Sequence, residues 1–344
     1  MERFALIMGE NSEQRYINSH PFLKHLPHRW AGALIPRVKT RFTETIYRGD
    51  GLEELGYILD APGFFMPGDK LTELNSIKIM ENIIASLKKK GISILAFPRW
   101  HGILSADHRF LLDKHHIALL DGELIRLASL METVDRLLAI IKAKPNEIKI
   151  GIWGADKPVG RIWAEYLAPH SNNLTLGGHR VRDMVKTGDD ILYNTGLSCE
   201  ITTDPGLCLI EKAIIILCSA PEEWDGIECN QITILSYRLD YGESAERFGD
   251  CKGIVIESGM PAIPKPLQIS NTLCPWGQLG VLEANLYIME KRYHDILTEP
   301  FPLEDRIKMT REILGQLGSI PMGMVSNNRI LTYNGFRRLY FKLP

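Results

Sequence analysis

One segment, Glu147 to Arg180, constrains the fold of this chain more than any other. An apolar strand ends at Gly154, an amphipathic helix opens at Gly160, and a second strand ends in Gly177 and Gly178. A strand, a glycine turn, a helix and a second strand form the βαβ unit that holds a dinucleotide pyrophosphate against a helix N-terminus. The segment predicts such a unit. Because it starts near residue 147, a whole domain is expected before it.

The glycines of this segment depart from the standard dinucleotide spacing, which places them at i, i+2 and i+5. Here Gly154 and Gly160 are six positions apart, and Lys157 stands where a GxxGxxG loop has its middle glycine. The Cβ of Lys157 disfavours a positive φ, whereas its ammonium group suits a phosphate. Two interpretations follow: a loop that binds a cofactor, and a reshaped loop in a purely structural Rossmann unit.

Residues at three strand ends are the candidate cofactor ligands. NAD-specific domains usually carry an acid after the second strand for the ribose 2′-OH, but this chain has a basic sequence there, which favours NADP. The alternative is a solvated basic loop. Small residues after the fourth strand would let a nicotinamide ring approach. The predicted cofactor-binding residues are Gly154, Ala155, Asp156, Lys157, Val159, Gly160, His179, Arg180, Ser219 and Ala220.

Alternating strands and helices predict an α/β protein with two domains, an N-terminal α/β domain and a Rossmann-type doubly wound parallel sheet. The expected N-terminal, substrate-side domain covers 1–120, and a connector helix and turn cover 121–146. The dinucleotide-binding domain is expected over 147–295. A C-terminal helix and tail, 296–344, are expected to pack on the N-terminal domain.

Composition narrows the functional classes. The chain has 344 residues, 45% of them hydrophobic and 24% charged, with a net charge of −2. These values are typical of a soluble globular protein without the basic surplus of a nucleic-acid binder. No apolar stretch is long enough to span a membrane and the N-terminus lacks a signal-length apolar core, so we expect a cytoplasmic protein. None of the six cysteines forms a CxxC pair, and the adjacent His115 and His116 would point to opposite faces of a strand. We therefore expect no metal site. The sequence leaves open whether the protein forms a homo-oligomer.

Three polar residues are the candidate catalytic groups. Arg99 and His101 follow a strand of the first domain and are expected to face a substrate cleft between the domains. A histidine titrates near neutral pH and suits a general acid or base, and an arginine can hold a carboxylate or phosphate. Glu257 follows the sixth strand of the second domain and could orient a nicotinamide amide or a substrate donor. The alternatives are an exposed histidine and a structural, capping glutamate.

The chain resembles the long-chain acyl-[acyl carrier protein] reductases of cyanobacteria and the predicted amino acid dehydrogenases around them. The resemblance extends over most of the chain, in the order of its segments more than in identity. It is carried by Phe4 to Ile7, Gly56 to Pro67, Gly91 to Leu95, Gly154-Ala155, Ile216 to Pro221 and Glu283-Ala284.

The resemblance implies a two-domain α/β reductase that transfers an acyl group from a thioester to a cysteine and reduces it with NADPH. The family cysteine lies three residues before a Glu-Ala pair, where this chain has Gly280. The family's Thr-Gly-Asn-Thr segment is replaced by Leu120 to Glu123. Cys274, six residues earlier, could substitute only after a rearrangement of the helix start, and a packed role is the alternative.

Together these observations predict an NADP-dependent oxidoreductase that binds a small-molecule substrate, an acyl thioester or an amino acid derivative, between two α/β domains. The alternative is a non-catalytic Rossmann protein, derived from such a reductase, that binds a nucleotide or a partner without turnover. Lys157 and Gly280 bear on this choice, because both are changes that loss of activity would leave behind.

Overall fold

The computed structural model of the protein describes most of the chain. The described residues are 2–7, 25, 40–49, 53–61, 73–98, 104–220, 231–237, 253–268, 273–327 and 329–342. Two of the predicted catalytic residues, Arg99 and His101, lie outside the described residues, and their roles stay predictions.

The chain divides into two compact units, and each contains two segments of sequence. Unit 1 comprises Met1–Glu123 and Ile263–Asp295, and unit 2 comprises Leu124–Ala262 and Ile296–Pro344. Both units combine parallel strands with helices. The predicted fold class, two α/β domains of which the second is a Rossmann-type doubly wound sheet, is confirmed.

Unit 1 is built on a mixed six-stranded sheet in the order β13-β2-β3-β1-β4-β5. Strands β3, β1, β4 and β5 run parallel, and β2 and β13 form an antiparallel edge. The strands are β1 Phe4–Ile7, β2 Arg41–Arg48, β3 Glu53–Asp60, β4 Ile94–Ala96, β5 Ala118–Leu120 and β13 Leu267–Gln268. The helices are α1 Glu73–Lys90, α2 Ala106–Lys114 and α7 Pro275–Met289. Helix α8, Lys291–Thr298, begins in this unit, and its last three residues belong to unit 2.

Helix α7 is apolar on most of its surface because it packs on the sheet of unit 1, against β1, β4 and β5. Its one buried charge, Glu283, is 1% exposed. The carboxylate accepts hydrogen bonds from the Gly122 backbone N–H at 2.5 Å and from the Tyr293 hydroxyl at 3.0 Å. Burial of a carboxylate requires such donors. Glu283 therefore fastens α7 to the turn after β5 and to α8.

Unit 2 contains a parallel six-stranded sheet in the order β11-β10-β9-β6-β7-β8. Counted from the first strand of this unit, this is the 3-2-1-4-5-6 order of the dinucleotide-binding fold. The strands are β6 Lys149–Trp153, β7 Asn173–Gly177, β8 Glu200–Thr202, β9 Ile214–Leu217, β10 Ile232–Leu235 and β11 Ile254–Ile256. The helices are α3 Glu123–Ile140, α4 Pro158–Leu167, α5 Val181–Thr195, α6 Pro205–Leu209, α9 Leu303–Gln316 and α10 Tyr333–Tyr340.

A small antiparallel sheet completes unit 2. Strand β12, Ser258–Pro261, pairs with β14, Pro321–Ser326, which pairs with β15, Arg329–Thr332. The sequence predicts a helix and a tail here, without these last two strands. Their residues alternate poorly between polar and apolar types, so the pairing partner decides the structure.

The predicted domain boundaries need correction. Residues 263–295, expected in the dinucleotide-binding domain, belong to unit 1, because α7 buries its apolar surface on that sheet. Residues 296–344, expected on the N-terminal domain, belong to unit 2. There Arg311 of α9 forms ion pairs with Glu132 at 3.0 Å and Asp135 at 3.2 Å on α3. The predicted connector, 121–146, contains α3 and is part of unit 2 from Leu124 onward.

Within the described ranges, no helix is long and apolar enough to cross a membrane. The same residues contain no group of three or more His, Cys, Asp and Glu side chains that could hold a metal ion.

Candidate functional site

Gly154 forms a tight turn at the point where the strand order of unit 2 reverses, between β6 and β9. Its φ is +85°, and a Cβ atom placed on it would lie 2.7 Å from the Ser219 Oγ and 3.0 Å from the Ser219 N at the end of β9. The N–H groups of Gly154 and Ala155 donate to the Gly177 carbonyl at 2.8 and 2.9 Å. The turn therefore joins the carboxyl ends of three strands, where ligands bind in open α/β sheets.

Gly160 lets helix α4 approach this turn. A Cβ atom at position 160 would lie 2.1 Å from the Gly154 carbonyl oxygen, so no side chain fits. In the dinucleotide fingerprint the last glycine has this role. The spacing of the two glycines is unusual, but Gly154 forms the tight turn and Gly160 the close helix contact for which the fingerprint uses its first and last glycines.

Lys157 does not need the conformation that would favour glycine. It is the N-cap residue of α4 with φ −101° and ψ 156°, an extended backbone, so the strain considered from the sequence does not arise. No side chain caps the helix, and Pro158 occupies its first turn. The N–H groups of Val159 and Gly160 are left without an intrahelical partner by helix geometry. This end of α4 can therefore receive an anion.

Asp156 lies behind the turn with 5% of its surface exposed. A Cβ atom on Gly178, the residue after β7, would lie 2.5 Å from Asp156 Oδ1. The Asp156 carboxylate thus occupies the space that a side chain on Gly178, at the end of β7, would need. Among the described residues, this Oδ1 atom has no hydrogen-bond partner.

Arg180 is held by two acidic residues. Its Nη2 donates to the Asp156 carbonyl oxygen at 2.6 Å, its Nε lies 3.4 Å from Asp156 Oδ2, and its Nη1 lies 3.0 Å from Asp183 Oδ2. The neighbouring His179 packs its ring edge-on to Trp153, with the ring centroids 5.5 Å apart. The structure thus brings the predicted loop residues and the basic strand end together.

Ser219 and Ala220, predicted to face the nicotinamide, are half-buried at the end of β9. The Ser219 Oγ is buried, and no partner for it is found in the described part of the chain. The preceding thiol, Cys218, is also buried, which raises its pKa to about 12. A thiol with such a pKa stays protonated and is a poor nucleophile at neutral pH.

Glu257, the third predicted catalytic residue, follows β11 and is 4% exposed. Its backbone N–H donates to the Val325 carbonyl at 2.8 Å, and its carbonyl accepts from Arg126 Nη1 at 3.1 Å. These bonds fix its backbone within unit 2. Its catalytic role stays a prediction.

Arg126 is a residue of this region that the sequence prediction missed. It is 6% exposed on α3, and its guanidinium also donates to the carbonyls of Leu235 at 2.8 Å and Ser236 at 2.7 Å. The Ser236 hydroxyl accepts from Trp163 Nε1 at 2.6 Å. Arg126 thus stabilises the carboxyl end of β10. In the sequence, the signal is an arginine among the apolar residues that form the buried face of a helix.

The position of the family cysteine has no room for a side chain. A Cβ atom on Gly280 would lie 2.7 Å from Leu6 Cδ1 and 2.8 Å from Pro98 Cγ. Cys274, the other candidate, is the N-cap of α7, and its sulfur accepts from the Gly277 N–H at 3.4 Å. This contact favours the packed, structural role for Cys274.

Comparison with known proteins gives loose structural likenesses. No protein-family model and no curated protein matches the chain. L-tryptophan dehydrogenase from Nostoc punctiforme superposes with a TM-score of 0.38 and 8% identity, covering 92% of this chain and 81% of that chain. Shikimate dehydrogenase from Aquifex aeolicus gives 0.31 and 11%, covering 90% and 97%. Anabolic ornithine carbamoyltransferase from Campylobacter jejuni subsp. jejuni gives 0.31 and 11%, covering 84% and 88%. At such TM-scores the likenesses carry no argument about function, and the resemblance to acyl reductases stays an interpretation of the sequence.

Proposed function

We propose that this protein is an NAD(P)-dependent oxidoreductase that acts on a small molecule. The observation that carries the proposal is the position of the Gly154 turn. It lies at the strand-order reversal of a 3-2-1-4-5-6 sheet, in front of an uncapped helix N-terminus. In doubly wound sheets this crevice is the dinucleotide site.

The residues present fit a dinucleotide. The N–H groups of Val159 and Gly160 would hold the pyrophosphate, and the absence of a side chain at Gly160 lets the helix stand close behind it. The exposed Lys157 adds a positive charge at the same helix end. Ser219 and Ala220, on the other side of the reversal, are small and would let the ring approach. The bound nicotinamide would supply hydride transfer, and these residues would bind and orient it.

The finer choice, NADP, is the sequence prediction and rests on His179, Arg180 and Arg182. His179 and Arg182 are exposed and support attraction of a phosphate. Arg180 is shared with Asp156 and Asp183, which weakens its contribution. The choice of cofactor therefore depends on how the charges of Asp156, Arg180 and Asp183 balance more than on the number of basic residues.

We propose only the chemical class of the substrate, an acyl thioester or an amino acid derivative. Arg99, His101 and Glu257 are the candidate groups near the chemistry. The packing around Gly280 argues against a covalent acyl-cysteine at the family position. Direct hydride transfer between the cofactor and a carbonyl, alcohol or amine therefore fits better than thioester exchange.

The second candidate function is a Rossmann protein that binds a nucleotide without turnover. It is favoured by the same Gly280 packing and by the raised pKa values of Cys208 and Cys218, both about 12 because of burial. Lys157 no longer favours it, because its extended backbone is compatible with an open loop.

Titration of the purified protein with NADH and NADPH, followed by quenching of tryptophan fluorescence, tests the site. Lys157→Glu is expected to weaken binding about tenfold, because it reverses a charge beside the pyrophosphate. An acid at a helix N-terminus does not destabilise the helix. Lys186→Glu makes the same charge change at an exposed position of α5 and is the matched control, expected to bind like wild type.

Failure of wild type to bind either dinucleotide would overturn the proposal, as would equal effects of the two variants. Binding together with loss of NAD(P)H absorbance in the presence of 2-oxo acids or acyl thioesters would support the oxidoreductase. Binding with no turnover across both substrate classes would favour the second candidate.

A further inference from the structure

We infer that an acidic cluster, defined as Asp156, Arg180 and Asp183, makes this site prefer NAD to NADP. The inference rests on the proposed function, since it concerns the adenosine end of the same cofactor. It reverses the preference that the basic residues of the sequence predict.

The position of Asp156 favours NAD. In NAD-specific sites an acid at the end of the second strand faces the ribose hydroxyls. Here the residue after that strand is Gly178, and the Asp156 carboxylate lies 2.5 Å from the point where its Cβ would be. The loop after the first strand thus places a negative charge where the second strand has no side chain to supply one.

The charge balance around Arg180 also favours NAD. Two guanidinium nitrogens face carboxylates, Nε that of Asp156 and Nη1 that of Asp183, and Nη2 donates to the backbone carbonyl of Asp156. Two carboxylates face one guanidinium, so the cluster is net negative. The buried Oδ1 of Asp156 accepts no hydrogen bond from a described residue, which leaves its charge only partly compensated.

The two cofactors differ in charge at the adenosine ribose. A 2′-phosphate carries close to two negative charges, and near this cluster it would be repelled by both carboxylates. A ribose diol is neutral and donates hydrogen bonds. Asp183, on the first turn of α5 with 46% of its side chain exposed, offers an accessible acceptor. Arg182 is exposed as well, and water and salt screen its charge as they screen that of Asp183, whereas the buried Asp156 carboxylate is screened less.

Calorimetric titration of the full-length protein with ADP-ribose and with 2′-phospho-ADP-ribose tests this inference without relying on turnover. Wild type is expected to bind ADP-ribose at least about tenfold more tightly. Asp156→Asn and Asp183→Asn should each move the ratio of the two dissociation constants toward or past unity. Asp183→Asn changes a half-exposed side chain, so it keeps the test valid if Asp156→Asn fails to fold.

Asp190→Asn is the matched control. Asp190 also lies on α5 and also pairs with an arginine, Arg161, at 3.3 Å, but it is about 10 Å further along the helix than Asp183. Its loss should leave the ratio unchanged. Tighter binding of the 2′-phosphorylated probe by wild type would overturn this inference alone, as would an Asp190→Asn effect equal to that of Asp183→Asn. Binding of neither probe would overturn the proposed function with it.

Discussion

At the residue scale, two glycines decide whether the turn between β6 and α4 can form. Gly154 adopts a positive φ, and Gly160 stands against the Gly154 carbonyl at a distance that excludes a Cβ atom. A residue with a side chain at either place would push helix α4 away from the sheet. Lys157, between them, carries no such constraint because its backbone is extended. The loop therefore depends on where its glycines are and not on how many it has.

Gly160→Ala is expected to destabilise the protein by about 1–3 kcal/mol, because the new methyl group overlaps a backbone carbonyl. Gly315→Ala is the control: it makes the same change within helix α9, where the new Cβ would meet nothing within 4 Å apart from its chain neighbours and the backbone of its own helix. It should stabilise by about 0.5–1 kcal/mol through helix propensity. Urea unfolding of both variants measures the difference. Equal stabilities of the two variants would show that α4 does not pack against the Gly154 carbonyl as closely as the structure indicates.

At the scale of elements, helix α3 organises one edge of the parallel sheet in unit 2. Arg126 binds the carbonyls of Leu235, Ser236 and Glu257, which follow or end strands β10 and β11. Ser129 and Thr133 of the same helix lie so close to Gly259 that a Cβ there would be 2.2 Å from the Ser129 carbonyl oxygen. A charged side chain and a close backbone contact thus fix α3 against the strand ends.

Arg126→Met should cost about 3 kcal/mol of stability, since buried carbonyl oxygens would lose their donor. Arg136→Met is the control on the same helix, where the guanidinium lies over the Tyr333 ring at 5.3 Å from its centroid. Its loss should cost less than about 1 kcal/mol. Chemical denaturation followed by circular dichroism distinguishes the two. A stability cost for Arg126→Met no larger than that of the control would show that Arg126 does not fix α3 against the strand ends.

At the scale of the whole molecule, neither unit is a continuous stretch of chain. Unit 1 is completed by residues 263–295, and unit 2 by residues 296–344. Helix α7 buries Leu279, Leu282 and Leu286 within unit 1. Residues 1–123 alone would therefore expose the apolar sheet face that α7 covers, and large exposed apolar patches cause aggregation.

A fragment of residues 1–123 is expected to be insoluble or unfolded. The same fragment joined through a short Gly-Ser linker to 263–295 should be soluble and give a cooperative thermal transition, because the sheet recovers its covering helix. Joining 1–123 to the equal-length segment 296–328 is the control and should not rescue it. Cooperative folding of 1–123 by itself would show that unit 1 does not need its second segment.

The sequence by itself determined the α/β class, the βαβ unit at 147–180 and the positions of its glycines. Apolar periodicity and turn residues act over a few neighbours, and these features need nothing more. Tertiary structure alone decided that Arg180 is held by Asp156, that Gly280 has no room for a nucleophile, and that 263–295 complete the first unit. Each of these depends on contacts between residues distant in the chain, for which local pattern carries no signal.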